Sequence, residues 1–103
     1  MPYFIKTEHF KPETLDLSSI ERRYYLDKHC YWVNSLITSG TNISSGYLRD
    51  AEKNPGGGGF LILEATSFAQ AKLLIQQDPM ILNNLVTWEL QEWKQFSGKD
   101  LFK

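Results

Sequence analysis

Apolar residues recur along the chain with two different spacings, and the alternation of these spacings predicts the order of the elements. Residues 2–10 are rich in aromatic and β-branched side chains, which is typical of a strand. From Leu15 to about Ser39 there is neither proline nor glycine, and the apolar spacing predicts one long amphipathic helix that ends at Gly40. We expect its inward side to carry Tyr25, His29, Trp32, Val33, Leu36 and Ile37.

The middle of the chain predicts two further strands and the connection between them. Residues 42–49 favour a second strand, and the polar, glycine-rich stretch 51–59 predicts a loop. Residues 60–65 are apolar almost throughout, which is typical of a central strand buried on both faces. The strand that follows the loop is therefore expected to begin at Phe60.

A second helix and a last strand complete the pattern. Ser67 and Gln70 form a capping-box pattern that opens a helix with Phe68 on its apolar side, and Asp78-Pro79 ends this helix. After a short helical turn, residues 86–91 alternate apolar and polar side chains and predict the last strand.

The element order strand, helix, strand, strand, helix, strand predicts a ferredoxin-like βαββαβ domain of the α+β class with an antiparallel sheet. Both helices should lie on one face of this sheet, so the other face needs a cover. With 14% aromatic residues, we expect a homodimer in which two sheets pack face to face. Residues 1–103 are read as a single domain, with its core over about 2–94 and a short C-terminal tail over 95–103.

Composition and charge narrow the possible partners. The chain has 11 Lys and Arg residues against 12 Asp and Glu residues, a net charge of -1, which disfavours nucleic acid and anionic membranes. A ferredoxin-like RNA-binding module is further weakened because the Lys/Arg-Gly-Phe aromatic signature is missing. One cysteine, Cys30, and two histidines are too few for a disulfide or a structural zinc site. We see no signal peptide and no transmembrane run, and we expect a cytoplasmic protein without a metal or other cofactor.

Two features suggest chemistry, and each has a plain structural alternative. The run Gly56–Gly59 invites a phosphate-loop interpretation, but a strand follows it instead of a helix, so a flexible hairpin connection is favoured. His29 lies on the inward side of the long helix, either as a core histidine or as a functional one. Asp78 is the natural carboxylate partner for it, although Asp-Pro is also an ordinary start for a short helix.

The chain resembles the YciI-like (YCII-related) protein family over about residues 2–94. The segments that carry the resemblance are His29-Cys30-Tyr31-Trp32-Val33, Gly40, Ser45-Gly46-Tyr47-Leu48, Gly59–Ala65, Ser67–Gln77, Asp78-Pro79-Met80, Leu85 and Glu92-Trp93-Lys94. This sequence departs from the family pattern at Tyr47, Met80 and Asn84, where the family usually has Pro, Phe and Gly.

The resemblance implies a dimeric α+β barrel with a His29–Asp78 dyad in a cleft beside the sheet and Ser45 as a weaker candidate nearby. Related barrels include muconolactone isomerases, and some YciI-like proteins resemble dehydrochlorinases.

Two hypotheses follow for the function. In the first, the protein is a small cofactor-free enzyme of the isomerase or lyase type, in which His29 moves a proton and Asp78 holds the imidazole. Its substrate would be a small cyclic or aromatic molecule, contacted by Ser45 and by the rings of Trp32, Tyr47 and Tyr25. In the second, the protein is a non-catalytic small-molecule-binding or structural dimer, and the dyad is a polar tie.

Overall fold

The computed structural model describes residues 1–102, which form one antiparallel sheet and a layer of helices. The strands are β1 (Tyr3–Phe10), β2 (Ile43–Arg49), β3 (Pro55–Glu64) and β4 (Val86–Trp93). The helices are α1 (Pro12–Leu15), α2 (Ser19–Thr38), α3 (Phe68–Ile75) and α4 (Pro79–Leu82). The sheet order is β2-β3-β1-β4, and every neighbouring pair of strands is antiparallel. The predicted ferredoxin-like α+β fold is confirmed.

The core lies between the two central strands and the helices. Phe4 on β1 pairs with Leu63 on β3, and both side chains are fully buried against Ala71 and Ile75 of α3. Burying a side chain of the size of Leu or Phe stabilises a fold by roughly 1.5–3 kcal/mol. The prediction that residues 60–65 contain a strand buried on both faces is confirmed, because Leu61, Ile62 and Leu63 are all buried.

The prediction of one helix from Leu15 to Ser39 is wrong at its start, because α1 ends at Leu15 and α2 begins only at Ser19. Ser18 begins α2 with a reciprocal capping box, in which its hydroxyl accepts from the Glu21 amide and its amide donates to the Glu21 carboxylate. The prediction for Ile37 is also wrong, since its side chain is half exposed and Val33 is the buried residue of α2. The stripe of α2 that the sheet covers is therefore narrower than the spacing predicted.

The glycine run is part of a strand, so the prediction of a flexible connection over Gly56–Gly59 is wrong. β3 already begins at Pro55, and the true connection to β2 is the turn over residues 50–54. Gly58 has φ +85°, and a Cβ atom there would lie 2.3 Å from the carbonyl oxygen of Glu8. The glycines allow β3 to approach the backbone of β1 more closely than a residue with a side chain could.

The sheet face away from the helices carries the other set of alternating side chains. Ile5 pairs with Ile62, and Thr7 pairs with Phe60, along the centre of this face. Phe102 lies against Tyr3 with a ring-centroid distance of 5.8 Å, so the segment read as a tail turns back onto the sheet. Lys103, the last residue of that tail, lies outside the described residues. Within residues 1–102, the helices are too short or too polar to cross a membrane.

Phe68 also differs from the prediction. It was expected on the buried side of α3, but it is about half exposed and makes an edge contact with Phe4 at a centroid distance of 6.0 Å. Phe68 is the first residue of the helix after its N-cap, Ser67, and it therefore packs at the rim of the core.

Candidate active site

The two residues on which the functional hypotheses depend meet beneath α2. The Nδ1 atom of His29 lies 2.9 Å from Oδ1 of Asp78, which is a hydrogen-bond distance. His29 is one turn before Val33, so the same stripe of α2 that packs on the sheet directs the imidazole inward. The Asp78 side chain is fully buried, and the His29 side chain is 12% exposed.

Asp78 is both a helix cap and the partner of His29. Its Oδ1 accepts a hydrogen bond of 3.0 Å from the amide of Met80, and Pro79 occupies the first position of α4. One carboxylate therefore both caps α4 and orients the imidazole of His29, which is possible because a carboxylate has about four acceptor sites. The local bond to the Met80 amide orients the same oxygen that meets His29.

Lys6 is a third member of this cluster, which the sequence analysis did not select. Its Nζ lies 2.6 Å from Oδ2 of Asp78 and also pairs with the carboxylate of Glu8, and its side chain is only 1% exposed. Its two neighbours across the sheet are Leu61 and Leu90. A signal for it existed, because Lys6 shares the alternation of Phe4, and a lysine on the buried side of a strand requires a charged partner.

The surroundings of Asp78 keep its carboxylate ionised. Burial by itself raises the pKa of Asp78, but the hydrogen bond with His29 and the positive charge of Lys6 outweigh it, so the net pKa is lowered. An ionised carboxylate can only accept hydrogen bonds, and Nδ1 of His29 must therefore donate. In the neutral ring this leaves the lone pair on Nε2.

Ser45 is hydrogen-bonded to the other nitrogen of the His29 ring. Its Oγ lies 2.8 Å from Nε2 of His29, and in the neutral ring the hydroxyl donates to this nitrogen. Ser45 reaches the ring because its side chain lies on the helix side of β2. Ser45 itself is exposed, so the polar chain from Lys6 through Asp78 and His29 ends at the surface.

The three aromatic residues predicted near the site lie at different places around it. The Trp32 ring is 5.7 Å from the His29 ring, at an interplanar angle of 44°. Tyr47 is 64% exposed and lies two residues after Ser45 on the same side of β2. Tyr25 is partly buried and packs against the cluster of Met80, Leu85 and Val86.

The side chains of the polar chain are hydrogen-bonded to one another and form no group of metal ligands. Among residues 1–102, no three side chains of His, Cys, Asp and Glu come together as a group of metal ligands. Asp78 receives hydrogen bonds from Lys6, His29 and Met80, so its oxygens already have partners. What the arrangement offers chemically is an oriented imidazole whose Nε2 is reached from the surface through one hydroxyl.

Comparisons with solved structures agree with the fold. The 5-chloro-2-hydroxyhydroquinone dehydrochlorinase of Burkholderia phenoliruptrix, solved in complex with 2,5-dihydroxybenzoquinone, superposes with a TM-score of 0.63. It is 20% identical, and the match covers 91% of this chain and 95% of the dehydrochlorinase. The de novo designed protein Ferredog-Diesel matches with a TM-score of 0.56 and 9% identity, over 88% of this chain and 84% of the design. No protein-family model and no curated protein matches the sequence.

These likenesses show the fold alone. This chain has a ferredoxin-like architecture, which the dehydrochlorinase shares at 20% sequence identity and the designed protein at 9%. Because one fold supports many unrelated functions, the function has to be argued from the site.

Proposed function

We propose that this protein is a small enzyme in which Nε2 of His29 accepts a proton from a small cyclic or aromatic substrate and returns it. The observation that carries this proposal is the 2.9 Å contact between Nδ1 of His29 and the buried carboxylate of Asp78. This contact fixes the tautomer, so that the basic nitrogen is the one directed toward the exposed hydroxyl of Ser45. The reaction is of the isomerase or lyase type.

The electrostatics of the site favour the proton transfer. When Nε2 takes up a proton, the imidazolium gains a full charge interaction with the ionised Asp78 at hydrogen-bond distance. Lys6 holds the same carboxylate from its other oxygen and keeps it from taking the proton itself. A general base positioned in this way contributes about 100- to 10,000-fold in rate. The Ser45 hydroxyl can rotate about one bond, so a substrate can displace it from Nε2 or transfer its proton through it.

For the substrate class we propose hydroxylated quinones and hydroquinones. The dehydrochlorinase with the same fold acts on a hydroxylated hydroquinone, and it was solved with a dihydroxybenzoquinone bound. In this chain the ring of Trp32 beside His29 and the exposed ring of Tyr47 supply flat apolar surfaces on which such a ring can stack. Loss of a proton and a chloride ion from such a ring needs a base and an orienting group, which are the parts present here.

The remaining features of the proposal concern the assembly and the family. We propose membership in the YciI-like family, a homodimer formed through the sheet face of Ile5 and Ile62, and one domain over residues 1–103. The enzyme works without a cofactor, in the cytoplasm. The apolar centre of that sheet face supports the dimer.

The experiment uses two probes and two histidines. Binding of 2,5-dihydroxybenzoquinone is measured by titration calorimetry, and chloride release from 5-chloro-2-hydroxyhydroquinone is measured with an ion-selective electrode. His29→Ala should abolish chloride release, and His9→Ala, which removes the exposed histidine of β1, should leave it unchanged. The same pair of variants is compared in D₂O for deuterium uptake into the bound ring, which reports proton abstraction without chloride loss.

The second candidate is the non-catalytic small-molecule-binding or structural module. The observation in its favour is that both ring nitrogens of His29 already have partners, Asp78 and Ser45. Under this hypothesis the quinone binds without chloride release or deuterium uptake, and His29→Ala lowers stability by a few kcal/mol. Chloride release or deuterium uptake that depends on His29 rules this alternative out.

A further inference from the structure

The hydrogen-bonded chain of Ser45, His29 and Asp78 connects its atoms in the order required to activate a hydroxyl nucleophile. Oγ of Ser45 lies 2.8 Å from Nε2 of His29, and Nδ1 of the same ring lies 2.9 Å from Oδ1 of Asp78. A hydroxyl within reach of a base that is oriented by a third group is the signature of nucleophilic catalysis, whatever the fold or the order of the residues along the chain.

We propose that Ser45 is a nucleophile and that the protein transfers or hydrolyses small acyl groups from activated esters. This activity uses the same His29 and Asp78 as the proposed proton transfer, but it requires a third residue that the proton transfer does not need. Ser45 has to form a covalent bond, whereas the proposed isomerase or lyase forms none.

The steps balance with water as the co-reactant. Oγ of Ser45 attacks the ester carbonyl carbon while its proton moves to Nε2 of His29, and the C–O bond to the leaving alcohol then breaks as that proton passes to the departing oxygen. Water attacks the acyl group next, giving its proton to Nε2, and the carboxylic acid leaves as Ser45 regains its hydroxyl. Asp78 stabilises the imidazolium in both halves.

Access is available at the serine end of the chain. Ser45 is exposed, whereas the Asp78 side chain is fully buried, so an acyl group meets the hydroxyl first. β2 stands at the end of the sheet order, with β3 on one side and no further strand of the described residues on the other. Tyr47, two residues further on the same side, is an exposed ring next to the approach path.

The backbone of β2 supplies a donor for the developing oxyanion. The amide of Glu64 bonds to the carbonyl of Asn42 at 2.9 Å, which makes these two residues a hydrogen-bonded pair of the antiparallel ladder. Because hydrogen-bonded and non-bonded pairs alternate, the amides of Ser45 and Tyr47 point away from β3, toward the uncovered edge. A nucleophile's own amide placed in this way is one of the donors that an oxyanion site uses.

The test uses a fluorophosphonate probe, which forms a P–O bond with an activated serine and releases fluoride. Intact-mass and peptide mass spectrometry should find one adduct, on Ser45, and p-nitrophenyl acetate should give a burst of p-nitrophenol equal to the protein concentration. Ser45→Ala and His29→Ala should each reduce the labelling rate by at least about 100-fold. Ser44→Ala is the matched control, because Ser44 is also exposed but lies on the opposite side of β2, and it should label at the wild-type rate.

The proposal is overturned if no adduct forms, if the adduct lies on another serine, or if His29→Ala labels as fast as the wild type. Circular dichroism confirms that each variant is folded. Should His29→Ala not fold, His29→Gln replaces it, because a glutamine amide can still bond to Asp78 but cannot take up the serine proton, and its labelling rate should fall to the same extent. This result can be told apart from a failure of the proposed proton transfer. If the wild type forms no adduct while Ser45→Ala still shows deuterium uptake, only the proposal that Ser45 is a nucleophile is overturned.

Discussion

Lys6 is a buried charged residue whose replacement should strongly destabilise the protein. It lies in the central strand β1 between Leu61 and Leu90, and its ammonium group has the carboxylates of Asp78 and Glu8 as ionic partners. Replacing it by methionine preserves the length of the apolar stem and removes the charge. The carboxylate of Asp78 then stays fully buried, with only His29 and the Met80 amide as donors.

The expected cost follows from the burial of this ion pair. Removing one partner of a buried pair costs about 3–5 kcal/mol, because it leaves the other charge without compensation. For a domain with a total stability of about 5–15 kcal/mol, this is a large fraction of the free energy of unfolding. In urea, with a slope of about 2 kcal/mol per M, the unfolding midpoint of Lys6→Met should fall by about 2 M.

Equilibrium urea unfolding, followed by tryptophan fluorescence, measures this change against two comparison variants. Lys72→Met removes an exposed lysine of α3 and should change the free energy of unfolding by no more than about 0.5 kcal/mol. The double variant Lys6→Met with Asp78→Asn removes both charges, and the amide oxygen at position 78 can still cap α4. This double variant should be more stable than Lys6→Met alone by about 1–3 kcal/mol.

The reasoning would be refuted by a midpoint for Lys6→Met that matches Lys72→Met. It would equally be refuted by additive losses in the double variant, because additivity would mean that the ammonium group and the Asp78 carboxylate do not interact.

Three further predictions rest on other features. The protein should sediment as a dimer at micromolar concentration, because the sheet face opposite the helices has an apolar centre, and a monomer in analytical ultracentrifugation would contradict this. The pKa of Asp78 is lower in the folded than in the unfolded protein, so its ionised carboxylate stabilises the fold above the unfolded pKa of about 3.9. This stabilisation is lost as the pH falls through the folded pKa. Urea midpoints measured from pH 7 to pH 2 should therefore decline more in the wild type than in Asp78→Asn. Gly58→Ala should destabilise the fold by more than about 1 kcal/mol, because Gly58 has a φ of +85° and the Glu8 carbonyl leaves no room for a Cβ atom. Gly46→Ala is the control and should change thermal stability far less, because no atom lies within 4 Å of the added Cβ atom.

The fold was predictable because its determinants are periodic and local. Runs of aromatic, β-branched and other apolar residues located all four strands, and the capping residues gave the start of α3. The predictions were wrong where contacts between distant parts of the chain decide the local structure. The glycine run looks like a loop in isolation, and only the proximity of β1 explains why it is a strand. The start of α2 could have been read from Ser18 and Glu21, since that capping box is visible in the sequence.

The site was predictable in its helix-borne part and less so across the sheet. His29 could be found from helical spacing and Asp78 from its proline, and the two do meet. The contact of Ser45 with the ring depends on how far β2 lies from α2, which no local pattern encodes. Lys6 was missed although it alternates with Phe4, because its partner Asp78 lies 72 residues away in the sequence and only the packing of α4 against the sheet brings the two together.

Asp78 combines folding and chemistry in one side chain, whereas Ser45 does not. A change at Asp78 alters the start of α4, the compensation of Lys6 and the orientation of His29 together, so mutation can hardly adjust one of these without damaging the others. Ser45 and Tyr47 stand on an edge strand with exposed side chains, and evolution can replace them at little cost in stability. A lineage built on this scaffold is therefore expected to keep its base and to diverge in the molecules that it accepts.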